Sequence, residues 1–134
     1  MKIYWVPQLP LKYIRGNEGL VYDPKLFGRL KKSIEENGFR NPVYGTAVNK
    51  MVQIGPGKQR HKAAVELGLD HMPAIVWDYD GSFAFIKEDG VGILELYTPE
   101  EIEAHFDDNH TVNRASWERG RLAIQKTFNW RDEQ

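Results

Sequence analysis

The segment from Gly55 to Arg60 has the residue types and the spacing of a phosphate-binding turn. A short apolar run, Met51–Ile54, leads into Gly-Pro-Gly, and a helix-favouring segment, Lys58–Leu67, follows at once. The first N–H groups of such a helix have no partner inside it, and together with the helix dipole they attract an anion. Lys58 and Arg60 fall in the first turn, where a cation opposes the dipole unless an anion compensates. The pattern therefore predicts a phosphate site.

Regular elements on both sides of this turn are predicted to hold it in place. Asp23 is a good helix cap, Pro24 is a good first helical residue, and Gly38 is a natural end. Asn49-Lys50 between two apolar runs indicates a hairpin, and residues 7–22 are predicted to form a loop. The expected elements are strands at Lys2–Val6, Val43–Val48, Met51–Ile54 and Ala74–Trp77, and helices at Pro24–Asn37 and Lys58–Leu67.

Residues 79–134 have weaker local signals. Glu88-Asp89-Gly90 separates two apolar runs, as in a hairpin turn, and Thr98-Pro99-Glu100-Glu101 has the form of a capping box. The expected elements are a hairpin of Phe83–Ile86 with Val91–Tyr97, a helix from Thr98 to about Phe106, and a last helix from Asn113 to Phe128. Together the elements predict one α+β domain over residues 1–134, because a chain of this length buries one core.

An ordered set of short motifs resembles the ParB/sulfiredoxin superfamily over about residues 20–78. The matching pieces are Asp23-Pro24, Leu26, Leu30, Ser33-Ile34, Gly38, Asn41-Pro42-Val43, Gly57-x-x-Arg60, Ala63-Ala64, Leu67-Gly68-Leu69 and Pro73–Val76. The resemblance implies a small mixed sheet with flanking helices. Residues 79–134 are then a divergent part that adds a C-terminal helical elaboration.

The resemblance also implies a nucleotide site. In that superfamily the Gly-x-x-Arg turn holds the phosphates, a role that an arginine fork suits because it matches phosphate oxygens bidentately. Asn41 matches the family's Gln-Pro position and is expected to donate an amide hydrogen bond, whereas Arg40 has no strict family equivalent. His61 either contacts a phosphate or is an ordinary surface residue of the helix. The candidate ligand-binding residues are Gly55, Gly57, Lys58, Gln59, Arg60, His61, Asn41 and Arg40.

Departures from the superfamily's patterns limit the activity that can be expected. Sulfiredoxin chemistry uses a cysteine where this chain has Lys58, and the chain has no cysteine at all. The second motif and the helix-turn-helix of partitioning ParB proteins are not recognisable. A kinase of this superfamily needs a catalytic carboxylate, and Glu18 is the upstream candidate. The expected ligand is a nucleoside triphosphate or diphosphate, with Mg²⁺ if slow NTP hydrolysis or phosphotransfer occurs.

The charge distribution favours a small ligand over long nucleic acid. Residues 1–75 carry 12 Lys/Arg and 6 Asp/Glu, whereas residues 76–134 carry 6 and 13. Since tight duplex binding needs many uncompensated cations, nucleic acid is expected to bind weakly. Two alternatives remain open: a ParB-like DNA-binding or nuclease protein, and a non-enzymatic adaptor that binds a protein through its acidic C-terminal region. No metal site is predicted, because His105–His110 is better explained as a solvated loop.

Composition indicates a cytoplasmic protein. There is no cysteine for disulfides, no apolar run near the roughly 18 residues of a membrane span, and no signal-peptide pattern. Neither a membrane partner nor a membrane location is therefore expected. By analogy, a small domain without a recognisable DNA-binding region would suit a bacterial virus or mobile element.

Overall fold

A six-stranded mixed sheet with three helices forms the part of the chain that the computed structural model describes, namely residues 2–88, 95–97 and 100–101. The strands follow the order β2-β4-β3-β5-β1-β6. Their bounds are β1 Lys2–Pro10, β2 Ile14–Arg15, β3 Val43–Val48, β4 Met51–Ile54, β5 His71–Asp78 and β6 Glu95–Tyr97. The helices are α1 Pro24–Asn37, α2 Lys58–Glu66 and α3 Phe83–Glu88, with a 3₁₀ turn at Leu11–Tyr13.

The hairpin of β3 and β4 carries the turn that precedes α2. Both residues of its connection, Asn49 and Lys50, have positive φ, at 53° and 64°. Positive φ at both residues is typical of the two-residue hairpin turn whose twist matches that of the flanking strands. Strand β3 also pairs in parallel with β5, which places the hairpin in the middle of the sheet. The predicted hairpin is confirmed at both strand boundaries.

Helix α1 begins and ends where the sequence predicts. The Asp23 carboxylate accepts hydrogen bonds from the N–H groups of Lys25, at 2.8 Å, and Leu26, at 3.3 Å. At the other end Gly38 takes a positive φ of 76°, which is a conformation that glycine adopts at little cost. Phe27 and Ile34 are buried against Ala63 of α2. This contact between helices fixes the position of α2 beside α1.

One face of the sheet forms the main core with α2 and α3. Alternate residues of each strand point to this face, as expected from the two-residue period of a β-strand. The buried members include Val6, Val43, Ala47, Val52, Ile54, Ala74 and Val76 from the sheet, Ala64 from α2, and Phe83 and Ile86 from α3. The strand carrying the turn is thus anchored on a packed face.

Two strands are longer than predicted, and the predicted loop contains structure. Strand β1 continues past Pro7 to Pro10, and its pairing with β5 shifts register between Val6 and Leu9. An irregularity of this kind accommodates a proline, which has no N–H to donate to the ladder. Strand β5 begins three residues before Ala74, at His71. Residues 7–22 include the 3₁₀ turn and β2 besides a true loop.

The second hairpin was predicted wrongly, because Phe83–Ile86 belongs to helix α3. Phe83 and Ile86, three positions apart, are buried, while Ala84 and Phe85 between them are exposed, so the segment has helical spacing. The Ser82 N–H donates to the Asp80 carboxylate at 2.9 Å, which turns the chain into the helix. Of the predicted partner strand, only 95–97 are described, and they pair with β1.

Several predictions fall outside the described residues. These are the turn Glu88–Gly90 beyond its first residue, the helix ending near Phe106 except for the helical residues 100 and 101, the segment His105–His110, and the helix Asn113–Phe128. The prediction of a single domain over the whole chain stays a prediction. Within the described ranges, no helix is long and apolar enough to cross a membrane.

Candidate functional site

The turn between β4 and α2 is fastened to the neighbouring strand by its backbone. The Gly55 N–H donates to the Tyr44 carbonyl at 2.7 Å, and the Tyr44 N–H donates to the Pro56 carbonyl at 3.0 Å. Since Tyr44 is fully buried in β3, both bonds are protected from water. The turn is therefore a rigid continuation of the hairpin, which is what a preorganised binding loop requires.

Gly57 ends this turn and begins α2 in a left-handed conformation, with φ 103° and ψ 15°. Its carbonyl accepts the His61 N–H at 3.0 Å. Because the N-cap is a glycine, it supplies no side-chain oxygen to the first N–H groups of α2. A phosphate oxygen is a suitable acceptor for such groups, because the helix dipole also favours negative charge there.

The missing side chain of Gly57 allows two close approaches. A Cβ at this position would lie 2.9 Å from both Cα and Cγ1 of Val43, and 3.0 Å from Nη2 of Arg60. The arginine therefore folds its guanidinium back over the turn instead of extending away along α2. The two residues of the Gly-x-x-Arg motif, Gly57 and Arg60, are thus brought together by direct packing.

An open depression of about 370 Å³ lies at this turn. It is lined by Gly55, Pro56, Gly57, Lys58, Gln59 and Arg60, with Leu20 from the loop and Leu30 from α1. Its volume falls within the range of small-molecule sites, roughly 300–1,000 Å³. The structure therefore brings the predicted residues of the turn to one concave surface that combines cations, helix N–H groups and two leucines.

Two more of the predicted ligand residues, Arg40 and Asn41, lie just before β3. Arg40 is exposed and Asn41 is half-buried, and neither lines the depression. Val43, two residues after Asn41, is the residue that Gly57 contacts. Asn41 is therefore brought near the turn by the chain path, but its side chain does not belong to the described wall of the depression.

His61 faces a second, adjacent depression, and it is not the exposed surface residue that one reading of the sequence predicted. Only 9% of it is exposed. The Asn17 side-chain amide donates to Nδ1 of His61 at 2.9 Å and to the Lys58 carbonyl at 2.9 Å. Because an amide NH₂ only donates, Nδ1 acts as the acceptor, which places the proton of the neutral ring on Nε2. Burial lowers the pKa of His61 and so favours this neutral form.

In the loop before α1 the sequence indicated Glu18, but it did not indicate that Asn17 belongs to the site. The second depression, of about 390 Å³, is lined by Asn17, Gly19, Leu20, Tyr22, His61, Lys62, Val65 and Glu66, so it shares Leu20 with the first. Glu18, the predicted catalytic residue, is exposed and adjacent to Asn17 in this loop. The one local signal was the pair of glycines that flank the segment, Gly16 and Gly19, which take φ of 93° and 71°.

The buried imidazole makes the stability of the fold depend on pH. Because the pKa of folded His61 lies below its ordinary value of 6.5, the unfolded chain binds a proton first as pH falls. The free energy of unfolding is therefore expected to keep its full value above about pH 6.5, and to decrease as pH falls from there through the pKa of His61 in the folded protein. Urea unfolding at a series of pH values from about 8 to about 5 measures this dependence.

Two histidine variants isolate the contribution of this ring. His61→Gln is expected to flatten the pH dependence, whereas His71→Gln, which removes an exposed imidazole, leaves it as in the parent. The pKa of Glu66 is lowered mainly by a hydrogen bond from Lys62, and the pKa of Asp80 mainly by hydrogen bonds from Ser82. Both carboxylates therefore titrate below the chosen pH window. An identical slope in the parent and the His61→Gln variant would contradict the assignment.

Comparison with known proteins bears on the fold. No protein-family model matches the chain, and no curated protein matches its sequence. Sulfiredoxin from Arabidopsis thaliana is similar in structure, with a TM-score of 0.51 and 24% identity, over 55% of this chain and 85% of that one. C-terminally truncated chromosome-partitioning protein ParB from Caulobacter crescentus, complexed with CTP-gamma-S, has a TM-score of 0.48 and 17% identity, over 92% of this chain and 64% of that one. The likeness to sulfiredoxin shows the ParB/sulfiredoxin-like α+β fold that the sequence motifs predict.

Proposed function

We propose that this protein binds a nucleotide through its phosphates at the turn from Gly55 to Arg60. The observation that carries the proposal is the packing of the Arg60 guanidinium over Gly57, at the N-terminus of α2, whose N-cap residue has no side chain. A helix N-terminus supplies N–H donors, and an arginine fork supplies charge and bidentate geometry. Both are directed at the same depression, which has room for more than a phosphate group.

The charges around the turn support an anionic ligand. Lys58 lines the depression and makes no ion pair with any residue in the described part of the chain. By contrast, Lys62 on the next turn pairs with Glu66 at 3.0 Å, and Lys31 of α1 reaches the same carboxylate at 3.3 Å. Lys62, the cation farther along α2, thus has a carboxylate partner within the protein, whereas Lys58 is available to a phosphate.

Thermal unfolding with a ligand panel tests the proposal. ATP, CTP, GTP and the matching diphosphates, each with and without Mg²⁺, are compared with the corresponding nucleosides and with inorganic pyrophosphate. A ligand that binds the folded state raises the unfolding temperature by mass action. We expect phosphorylated ligands to do so and nucleosides to have little effect. If no phosphorylated compound shifts unfolding while duplex DNA is retained at sub-micromolar concentration, the DNA-binding alternative replaces this proposal.

Turnover of the nucleotide would require a carboxylate near the phosphates. Among the described residues no three His, Asp or Glu side chains form a metal site. A nucleotide-bound Mg²⁺ uses phosphate oxygens and as few as one or two carboxylates, so a single glutamate is compatible with it. Such an ion neutralises charge on the phosphates. Glu18 is proposed to hold it, because Asn17, the residue before it, contacts the first turn of α2.

Glu18→Gln is expected to separate binding from turnover. Hydrolysis of the bound nucleotide should be slow in the parent and should fall at least about tenfold in the variant, because a neutral amide holds Mg²⁺ poorly. Nucleotide affinity should persist, since the turn is unchanged. Phosphate release and calorimetric binding measure the two quantities, and Glu35→Gln, at an exposed position of α1, is the control. Hydrolysis indifferent to Glu18 would place the carboxylate elsewhere, with Asp107 and Asp108 the next candidates. Absence of hydrolysis in the parent would indicate a binding module.

A further inference from the structure

The loop that carries Glu18 is held near its start by Asn17. Both amide hydrogens of Asn17 are used, one toward the Lys58 carbonyl at 2.9 Å and one toward Nδ1 of His61 at 2.9 Å. These acceptors lie 41 and 44 residues away along the chain. A single side chain thus ties the loop to the first turn of α2, the same turn that faces the proposed phosphate site.

The two ends of the loop have their own anchors, and its middle has few. At the start, Gly16 follows strand β2, and a Cβ on Gly16 would overlap the Gln53 side chain. At the end, the Tyr22 ring packs on Phe27 with a centroid distance of 5.0 Å. Between these ends, Glu18 and Gly19 are exposed, and Val21 is 92% exposed. Between Gly16 and Tyr22, Asn17 and the half-buried Leu20 are therefore the residues that hold the loop against the protein.

We propose that Asn17 is a positioning residue that holds the loop of residues 16–22, and with it Glu18, over the first turn of α2. We call its two hydrogen bonds, to the Lys58 carbonyl and to Nδ1 of His61, the latch. The latch requires neutral His61 as an acceptor. The part of the proposal that concerns the covering of a ligand rests on the proposed nucleotide site. The latch itself depends only on the described contacts between the loop and α2.

Protonation of His61 opens the latch, because a protonated Nδ1 becomes a donor and then faces the donor amide of Asn17. The charged groups around the ring do not offset this change. On α2, Lys62 and Glu66 pair with each other, and from α1 Lys31 pairs with the same Glu66. From the loop, the Tyr22 ring faces Lys62, with its centroid 5.1 Å from Nζ, while Glu18 is exposed. Burial lowers the pKa of His61, so the latch is closed at neutral pH and opens in acid.

Limited proteolysis within the loop tests the latch in the protein without ligand. Protection of residues 16–22 from cleavage, relative to an unfolded peptide of the same sequence at each pH, is followed alongside the ring proton shifts of His61 by NMR. In the parent, we expect loop protection to fall as His61 becomes protonated, with the same midpoint. Asn17→Ala should lower protection roughly threefold to tenfold at neutral pH, as expected for the loss of a partly buried hydrogen bond.

Matched variants separate the latch from a general loss of structure. His61→Gln keeps a neutral acceptor that does not titrate, so the loop should stay protected through the whole pH range. Asn37→Ala and His71→Gln remove the same groups from exposed positions and should leave loop protection unchanged. The proposal is overturned if Asn17→Ala leaves the loop as protected as in the parent. Loop protection that stays constant while His61 titrates in the unmodified protein overturns it too, and this measurement needs no variant.

The same measurements with bound nucleotide distinguish this proposal from the proposed function. If phosphorylated ligands bind, Asn17→Ala should lose loop protection in the complex as well, while Arg60→Ala in the free protein should keep it. If no nucleotide binds the parent, the cleavage data still decide the latch, because they are collected without ligand. Failure of nucleotide binding with an intact pH-dependent latch therefore refutes the function alone.

Discussion

Arg60→Ala is expected to bind nucleotide roughly tenfold to a hundredfold more weakly than the parent, a loss of about 1.5–3 kcal/mol. The guanidinium lies over Gly57 at the depression, so a bound phosphate would meet it directly. Two parallel N–H donors and a permanent charge are lost together in the variant. Calorimetric titration with the best ligand of the panel measures the change, and thermal unfolding of the free proteins checks that the fold is kept.

Three further variants define what the arginine contributes. Arg60→Lys keeps the charge without the planar fork, so its affinity should fall between those of the parent and Arg60→Ala. Lys58→Ala should cost less than Arg60→Ala, because lysine supplies a mobile point charge. Arg29→Ala removes the same charge from an exposed position of α1 and should have little effect. Unchanged affinity in a folded Arg60→Ala protein would mean that phosphates do not bind at this turn.

Gly57→Ala is expected to lower the free energy of unfolding by about 2–5 kcal/mol. The first cause is backbone strain, because φ of 103° is unfavourable for any residue with a Cβ. The second is overlap, since the new methyl group would stand 2.9 Å from the Cα of Val43 in the sheet, which cannot move away as a flexible side chain would. Urea unfolding measures the loss.

Variants at two other glycines separate the cost of backbone strain from the cost of steric overlap. Gly68 has φ of 70° but open space where a Cβ would stand, so Gly68→Ala should show the cost of strain alone. Gly28 lies inside α1 with open space around it, and Gly28→Ala should stabilise the protein by about 0.5–1 kcal/mol. If Gly57→Ala costs no more than Gly68→Ala, the close approach of the turn to β3 is not what limits this position. A folded Gly57→Ala protein should also bind nucleotide weakly, because the methyl group displaces Arg60.

Helix α1 and the β3–β4 hairpin were predictable because their signals are local. The Asp23 cap, the proline after it and Gly38 act within one or two turns of the helix they delimit. The α3 segment was not predictable, because its four apolar residues fit both the helical and the strand period. Contacts with distant residues decide between helix and strand there. In the folded chain the Phe83 ring packs on Tyr4 of β1 at a centroid distance of 4.2 Å, and this packing favours the helix.

The candidate site likewise has a part that could be predicted from the sequence and a part that could not. Gly57 and Arg60 lie three positions apart, so the turn and its cation could be recognised from spacing, since one helical turn brings them to the same end of α2. The approach of Val43 to Gly57, and the hydrogen bond of Asn17 to His61 across 44 residues, have no local pattern. They arise because the sheet and the two helices pack in one arrangement, and the free energy of that packing is distributed over the whole core. A sequence motif thus specifies the groups that a turn presents, while the loop that covers the turn is chosen by contacts that form only when distant segments meet.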